Sequence, residues 1–78
     1  MIRLELAATQ EQAIDLEMET IDGEDGLFTK DFRNIPAALS FSKANPTVKT
    51  EVVWVVTIKN AVSEYPMDAY NEAVGLTV

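Results

Sequence analysis

The residues best suited to chemistry are carboxylates, and six of them lie among the thirteen residues of the stretch IDLEMETIDGEDG at positions 14–26. Oxygen ligands of this kind suit Ca²⁺ or Mg²⁺. The EF-hand spacing is not met, because a loop that begins at Asp22 places Arg33 at its twelfth position, where a bidentate glutamate is required. We therefore interpret the segment 22–26 as an exposed hairpin turn. We expect the protein to need no metal and no cofactor.

Catalytic side chains of the common kinds are missing from this sequence. It contains no histidine and no cysteine, so the usual general base and the Ser-His and Cys-His nucleophile pairs cannot be built. Its three glycines match neither a dinucleotide-binding nor a P-loop spacing. Paired carboxylates could hydrolyse glycosides, but that reaction needs a deep cleft, which a chain of 78 residues rarely provides. We predict that the protein is not an enzyme.

The net charge of −7 is unevenly distributed along the chain. Residues 1–31 contain nine acids and two bases, a net charge of −7, and residues 32–78 contain four acids and four bases, a net charge of zero. Direct binding to nucleic acid or to an anionic membrane is disfavoured, because phosphate contacts need lysine and arginine. The acidic surface instead favours a protein partner with a basic, nucleic-acid-binding surface.

The acids between positions 11 and 25 are the candidate partner-binding residues. In a strand, Asp15, Glu17 and Glu19 would project from one side about 6.5–7 Å apart, a distance of the same order as the spacing of successive phosphates. In a helix, the acids would form a stripe, so that either structure produces a linear anionic ridge. The alternative is a solvated face that only maintains solubility. The candidate residues are Glu11, Asp15, Glu17, Glu19, Asp22, Glu24 and Asp25.

Size, acidity and the lack of catalytic residues together suggest a class of protein. In these properties the chain resembles phage-encoded inhibitors of host defence, such as anti-CRISPR and anti-restriction proteins, and no motif extends the resemblance to individual residues. The resemblance implies a nucleic-acid mimic that docks on a basic groove of its target. The alternative is a structural subunit, such as a virion or tail component. Such a subunit would self-associate, for example as a homodimer, through the apolar strand around Val52–Val56.

The first half of the chain must position these acids. Apolar and polar residues alternate over 2–7, which predicts a half-buried strand. The segment 9–22 fits two structures. Alternation over 14–19 favours a strand, which is our preferred interpretation, whereas Thr9 and Gln12 would form the capping box of a helix.

A tight connection is expected next over 22–26, where the dipeptide Asp25-Gly26 is a turn signal. The apolar residues of 27–32 predict a short returning strand. Asn34 is then a suitable N-cap for a short helix, with Pro36 in its first turn.

The strongest strand signal covers 47–60, where β-branched residues dominate. Because its middle is apolar on both faces, we predict a central strand or an edge covered by a partner, with Trp54 as a core residue. The spacing of apolar residues over 63–75 predicts a C-terminal helix. One face of the strand would carry Val48, Val52, Trp54, Val56 and Ile58, and the other Val53 and Val55.

These elements together predict a small single α+β domain over residues 1–78. It should contain a three- to four-stranded, mostly antiparallel sheet with one or two short helices on one face. The N-terminal residues do not have the pattern of a signal peptide. The longest apolar run, at 52–56, is far too short to span a bilayer. We therefore expect a cytoplasmic protein.

Overall fold

Five strands and three helices form the part of the chain that this computed structural model describes, residues 1–57 and 62–75. The strands pair antiparallel in the order β2-β3-β1-β4-β5. The α+β class with an antiparallel sheet is confirmed, with one strand more than the upper expectation. The elements are β1 Ile2–Ala7, α1 Gln10–Asp15, β2 Glu19–Ile21, β3 Glu24–Phe32, α2 Ile35–Ala44, β4 Lys49–Val56, β5 Val62–Glu64 and α3 Met67–Gly75.

One face of the sheet forms the core, and β1 lies at its centre. The predicted strand over 2–7 is confirmed, because its alternate residues Ile2, Leu4 and Leu6 are at most 5% exposed. Leu4 lies opposite Val53 of β4, which is also fully buried. Helices α2 and α3 pack on this face and contribute buried residues to the same cluster. Burial of this apolar surface is the main force that holds the helices against the sheet.

A hydroxyl network joins α2 to α3 inside the core. The hydroxyls of Ser42 and Tyr70 lie 2.6 Å apart, and Tyr70 donates to the carbonyl oxygen of Ala38 at 3.0 Å. Burial raises the pKa of Tyr70, so the phenol stays neutral and can donate. Helix α2 begins as predicted, because the Asn34 side chain accepts from the backbone N–H of Ala37 at 3.0 Å.

The segment 9–22 is divided between a helix and a strand. Thr9 and Gln12 form the capping box, with the Gln12 N–H donating to Thr9 Oγ1 at 3.1 Å and the Thr9 N–H donating to Gln12 Oε1 at 2.9 Å. The preferred strand interpretation is therefore wrong over 10–15. The two short-range bonds satisfy backbone groups that a helix N-terminus otherwise leaves unpaired, and they outweigh the alternating pattern. Only 19–21 of this segment is strand.

Helix α1 ends in a reversal that places Glu17 in the left-handed region, at φ 57°. The Met18 N–H donates to the Ala13 carbonyl at 2.8 Å, and the Glu17 N–H donates to the Ile14 carbonyl at 3.3 Å. These two bonds define a Schellman motif, in which glycine is the usual residue at the position of Glu17. A glutamate here has the steric cost of a left-handed conformation.

We expect Glu17→Gly to be more stable than Glu17→Ala by about 1 kcal/mol, because glycine adopts a positive φ without a clash of its Cβ. Both variants remove the same charge, so their difference isolates the backbone. Urea denaturation at neutral pH measures the two free energies of unfolding. Equal stabilities would show that the left-handed conformation of Glu17 carries no cost.

The predicted hairpin over 22–26 is present between β2 and β3, but it is tighter than expected and does not turn at Asp25-Gly26. The chain turns at Asp22 and Gly23, where Gly23 has φ 79°. Asp25 and Gly26 instead lie inside β3, whose returning strand over 27–32 is confirmed. Gly26, at φ 78°, lies where the register between β2 and β3 shifts. A positive φ therefore serves a bulge here rather than a turn.

Strand β4 lies between β1 and β5, so the prediction of an internal strand is confirmed. The predicted extension over 58–60 lies outside the described residues. The assignment of Trp54 to the core is wrong, because Val53 and Val55 face the core instead. Trp54 is half-buried on the opposite face, where its Nε1 donates to Glu5 Oε2 at 2.5 Å.

The predicted C-terminal helix over 63–75 is shorter than expected. It begins at Met67, and the preceding residues 62–64 form β5. The apolar residues whose spacing predicted the helix do face the core, because Tyr70 is fully buried and Val74 packs against the core.

Candidate partner-binding surface

All seven candidate acids are exposed and lie on the chain between β1 and the start of β3. We call the chain from position 11 to position 25 the acidic segment. The expected regular strand spacing of Asp15, Glu17 and Glu19 is wrong, because these residues lie in a helix, a left-handed turn and a strand. The seven are distributed as Glu11 and Asp15 in α1, Glu17 in the turn, Glu19 in β2, Asp22 in the hairpin, and Glu24 and Asp25 in β3.

The chain that contains the acidic segment leaves β1 and comes back beside it in β3 at the same end of the sheet. Ala7 pairs with Leu27, and the Ala8 N–H donates to the Gly26 carbonyl at 3.1 Å. Glu11, near the start of α1, and the acids of the β2–β3 hairpin therefore belong to this end of the sheet. Asp15, Glu17 and Glu19 lie farther from this end of the sheet, where α1 ends and β2 begins. The acids thus surround the corner of the sheet at edge strand β2 instead of following one straight line.

No acid of the segment is neutralised by an ion pair within the described residues. The ion pairs found there are Arg3–Asp31 and Lys49–Glu51. Lys30 lies nearby, but its Nζ donates to the backbone carbonyl of Glu17 at 3.4 Å, not to a carboxylate. Exposed and uncompensated carboxylates produce a negative potential outside the molecule. No cluster of three or more metal-ligating side chains occurs in the described ranges.

A groove of about 430 Å³ adjoins the acidic segment on the face of the sheet opposite the core. Arg3 lies in it and forms a bidentate pair with Asp31, from Nε to Oδ1 at 2.7 Å and from Nη2 to Oδ2 at 3.1 Å. This hydrogen-bonded pairing lowers the pKa of Asp31 and raises the pKa of Arg3, to which Glu19 adds a smaller contribution. The groove is lined by Arg3, Glu17, Glu19, Thr29, Lys30 and Asp31.

Sequence reasoning missed the part of this groove that comes from β1 and β3. Arg3 and Asp31 are 28 residues apart and meet because they are register partners. The alternation of β1 did indicate that Arg3 and Glu5 project away from the core. No local signal pairs either residue with β3.

The Arg3–Asp31 pair should make stability depend on pH in the acid range. Because the folded pKa of Asp31 is lowered, its contribution is present above the ordinary aspartate pKa of about 4 and is lost as pH falls through the folded pKa. The contribution should stay below about 1 kcal/mol, because both side chains are about 40% exposed.

The stability difference between wild type and Asp31→Asn should therefore be largest near neutral pH and shrink at lower pH. Urea denaturation from pH 7 down to pH 3 measures it, with the exposed Glu72→Gln as a control for general charge removal. A difference that does not change with pH would contradict a role for the ionised pair.

Beside the groove, the same face carries apolar side chains of β4 and β5 together with Glu5 and Glu64. Val52, Trp54 and Val56 of β4 are half-buried there, and Val62 of β5 is 49% exposed. Helices α2 and α3 pack on the other side of the sheet. These valines and Trp54 form the apolar patch.

Comparison with protein-family models, with curated proteins and with solved structures finds no match to this chain. Among the described residues, no helix is long and apolar enough to cross a membrane. Fold and surface together define a small α+β protein with an exposed, acidic candidate binding surface at one corner of its sheet.

Proposed function

We propose that this protein is a non-enzymatic binding protein, acting in the cytoplasm, that docks its acidic segment on a basic, nucleic-acid-binding surface of a partner protein. It would act as a nucleic-acid mimic and inhibitor of the anti-CRISPR or anti-restriction kind. The observation that carries the proposal is the exposure of all seven acids, with none in an ion pair within the described residues.

The cost of this arrangement supports the proposal. Gathering like charges at one corner destabilises the folded state through repulsion. In addition, Glu17 occupies a left-handed position that glycine would occupy with less strain. Neither feature contributes to the core. Both are understandable if the carboxylates are needed on the surface for a partner.

The proposal is tested by capture under competition. We expect the immobilised protein to retain basic nucleic-acid-binding proteins at about 0.01 M salt, where the Debye length is about 30 Å. An excess of duplex DNA or RNA should release them, because both ligands occupy one groove. The immobilised double variant Asp15→Lys, Glu19→Lys is the control and should retain much less. Partners that remain bound in excess nucleic acid would contradict mimicry.

A second candidate function is favoured by the apolar patch. Val52, Trp54 and Val56 present apolar surface on a sheet face that α2 and α3 leave open, and such surface is typical of contacts between copies in an assembly. Light scattering over a range of concentrations separates the two functions. An assembly subunit should grow in mass with concentration, and Trp54→Ala should prevent this growth. An inhibitor should keep a constant mass.

A further inference from the structure

We propose that the cavity between the end of α2, the start of β4 and α3 binds a small organic acid, a carboxylate that carries an apolar tail. The cavity has a volume of about 320 Å³, at the lower end of the range of small-ligand sites, about 300–1,000 Å³. None of its described lining residues belongs to the acidic segment. The inference therefore goes beyond the proposed function and does not depend on it.

The apolar part of the lining is fixed in place by the core. Val48 and Tyr70 are 5% and 1% exposed, and Val74 packs against the core cluster. The hydroxyls of Ser42 and Tyr70, 2.6 Å apart, join α2 to α3, so two walls of the cavity keep a fixed separation. A preformed cavity spares the ligand the cost of ordering its site. An apolar tail gains free energy when it leaves water for such a surface.

The charge of the cavity is opposite to that of the whole chain. Lys43 in the last turn of α2 and Lys49 at the start of β4 are the two charged residues among the described lining residues. Two cations and no carboxylate give this lining a charge of +2, whereas the chain has a net charge of −7. A cleft of one charge sign attracts ligands of the opposite sign. Together with the apolar lining, this complementarity favours a ligand that has both a negative charge and an apolar tail.

Neither lysine is held firmly by another group. The carbonyl oxygen of Phe41 near the end of α2 already accepts from the backbone N–H and the side-chain amide of Asn45, at 3.0 and 2.9 Å, so it does not need Lys43. Lys43 forms no ion pair within the described residues. Lys49 lies 3.9 Å from Glu51, a long ion pair in which the lysine side chain is 78% exposed. Such a surface pair contributes little, so both ammonium groups are available to a ligand carboxylate.

The test is an NMR titration of the full chain with hexanoate at about 0.01 M salt, where screening is weak. We expect saturable shifts of the backbone amides of Lys43, Lys49 and Val74. Hexanamide has the same length without the charge and should bind about tenfold more weakly, because it loses two surface ion pairs. Butanoate should bind up to about 15-fold more weakly, since each buried CH₂ group contributes about fourfold. Inorganic phosphate, which has charge but no tail, should bind more weakly than hexanoate.

Substitution of the lysines assigns the binding to the cavity. Lys43→Gln and Lys49→Gln should each weaken hexanoate binding about two- to fivefold, the contribution of one exposed ion pair. The double variant should bind hexanoate and hexanamide equally, because the charge recognition is gone. Both lysines are exposed, so the melting temperature should stay nearly unchanged. The matched control is Arg33→Gln, an exposed cation outside the described lining, which should leave hexanoate binding unchanged.

Four outcomes would overturn the organic-acid site. Equal binding of hexanoate and hexanamide by the wild type would show that the lysines recognise no charge, and equal binding of phosphate would show that the tail is not recognised. An unchanged affinity of the double lysine variant would place the binding elsewhere. A loss of affinity in Arg33→Gln as large as in the lysine variants would mean that anions collect on any exposed cation. None of these results bears on the capture experiment, which tests the acidic segment.

Discussion

Replacing Leu4 by alanine is expected to destabilise the protein by about 2–5 kcal/mol, the range measured for buried leucines. Leu4 is fully buried on the central strand, beneath the helix layer. A domain of this size has a total stability of only about 3–5 kcal/mol. The variant should therefore be largely unfolded at room temperature, which circular dichroism and urea denaturation measure.

Trp54→Ala is the matched control on the other face of the sheet. Trp54 is half-buried and its indole bonds an acidic side chain, Glu5. Its loss should cost about 1–2 kcal/mol, because it removes partly exposed surface and one hydrogen bond. If Trp54→Ala proved as damaging as Leu4→Ala, the apolar patch would belong to the core or to a permanent interface.

Reversing two charges of the acidic segment is expected to slow association with a basic partner by tenfold or more at low salt. Asp15→Lys with Glu19→Lys changes the net charge from −7 to −3, since each replacement adds two charges. Electrostatic steering accelerates association by about 10–10³-fold and weakens steeply with ionic strength. Stopped-flow or surface-plasmon kinetics with a captured partner, at about 0.01 M and 0.15 M salt, measures the effect, because the Debye length falls from about 30 to 8 Å.

The matched control is Glu64→Lys with Glu72→Lys, which gives the same net charge of −3. Both residues are exposed and lie in β5 and α3, outside the acidic segment. This pair should slow association much less, because the location of the charge and not its sum forms the docking surface. Folding of the acidic-segment variant should be unchanged or improved as repulsion falls. Equal rates for the two pairs would reject the acidic segment as the docking surface.

Local structures that depend on residues close together in the chain were predicted from the sequence. Thr9 and Gln12 bond each other across three residues, and Asn34 caps α2 through Ala37, also three residues away. The alternation over 2–7 has the same local character. Even so, our preferred interpretation of 9–22 followed the alternating pattern, although the capping-box bonds of Thr9 and Gln12 are present and the chain is helical over 10–15.

The two faces of β4 could not be assigned locally. Its residues from Val52 to Val56 are apolar on both sides, so either orientation would bury a similar surface. Pairing with β1 decided the matter, because Leu4 lies opposite Val53 and Arg3 opposite Trp54. Register determines the face of every residue in a strand at once. Trp54 consequently lies on the open face despite its size.

Some properties of the candidate site likewise follow from the sequence, and others depend on the tertiary structure. The sequence by itself determined that the acids at 11–25 are on the surface, because a carboxylate is rarely buried without a partner. Only the tertiary structure placed Glu17 and Glu19 beside Arg3, Thr29 and Asp31. These groups belong to three neighbouring strands and one turn, and the pairing register of β3 with β1 and with β2 brings them together. That register depends on contacts between residues far apart in the chain, which no local pattern specifies.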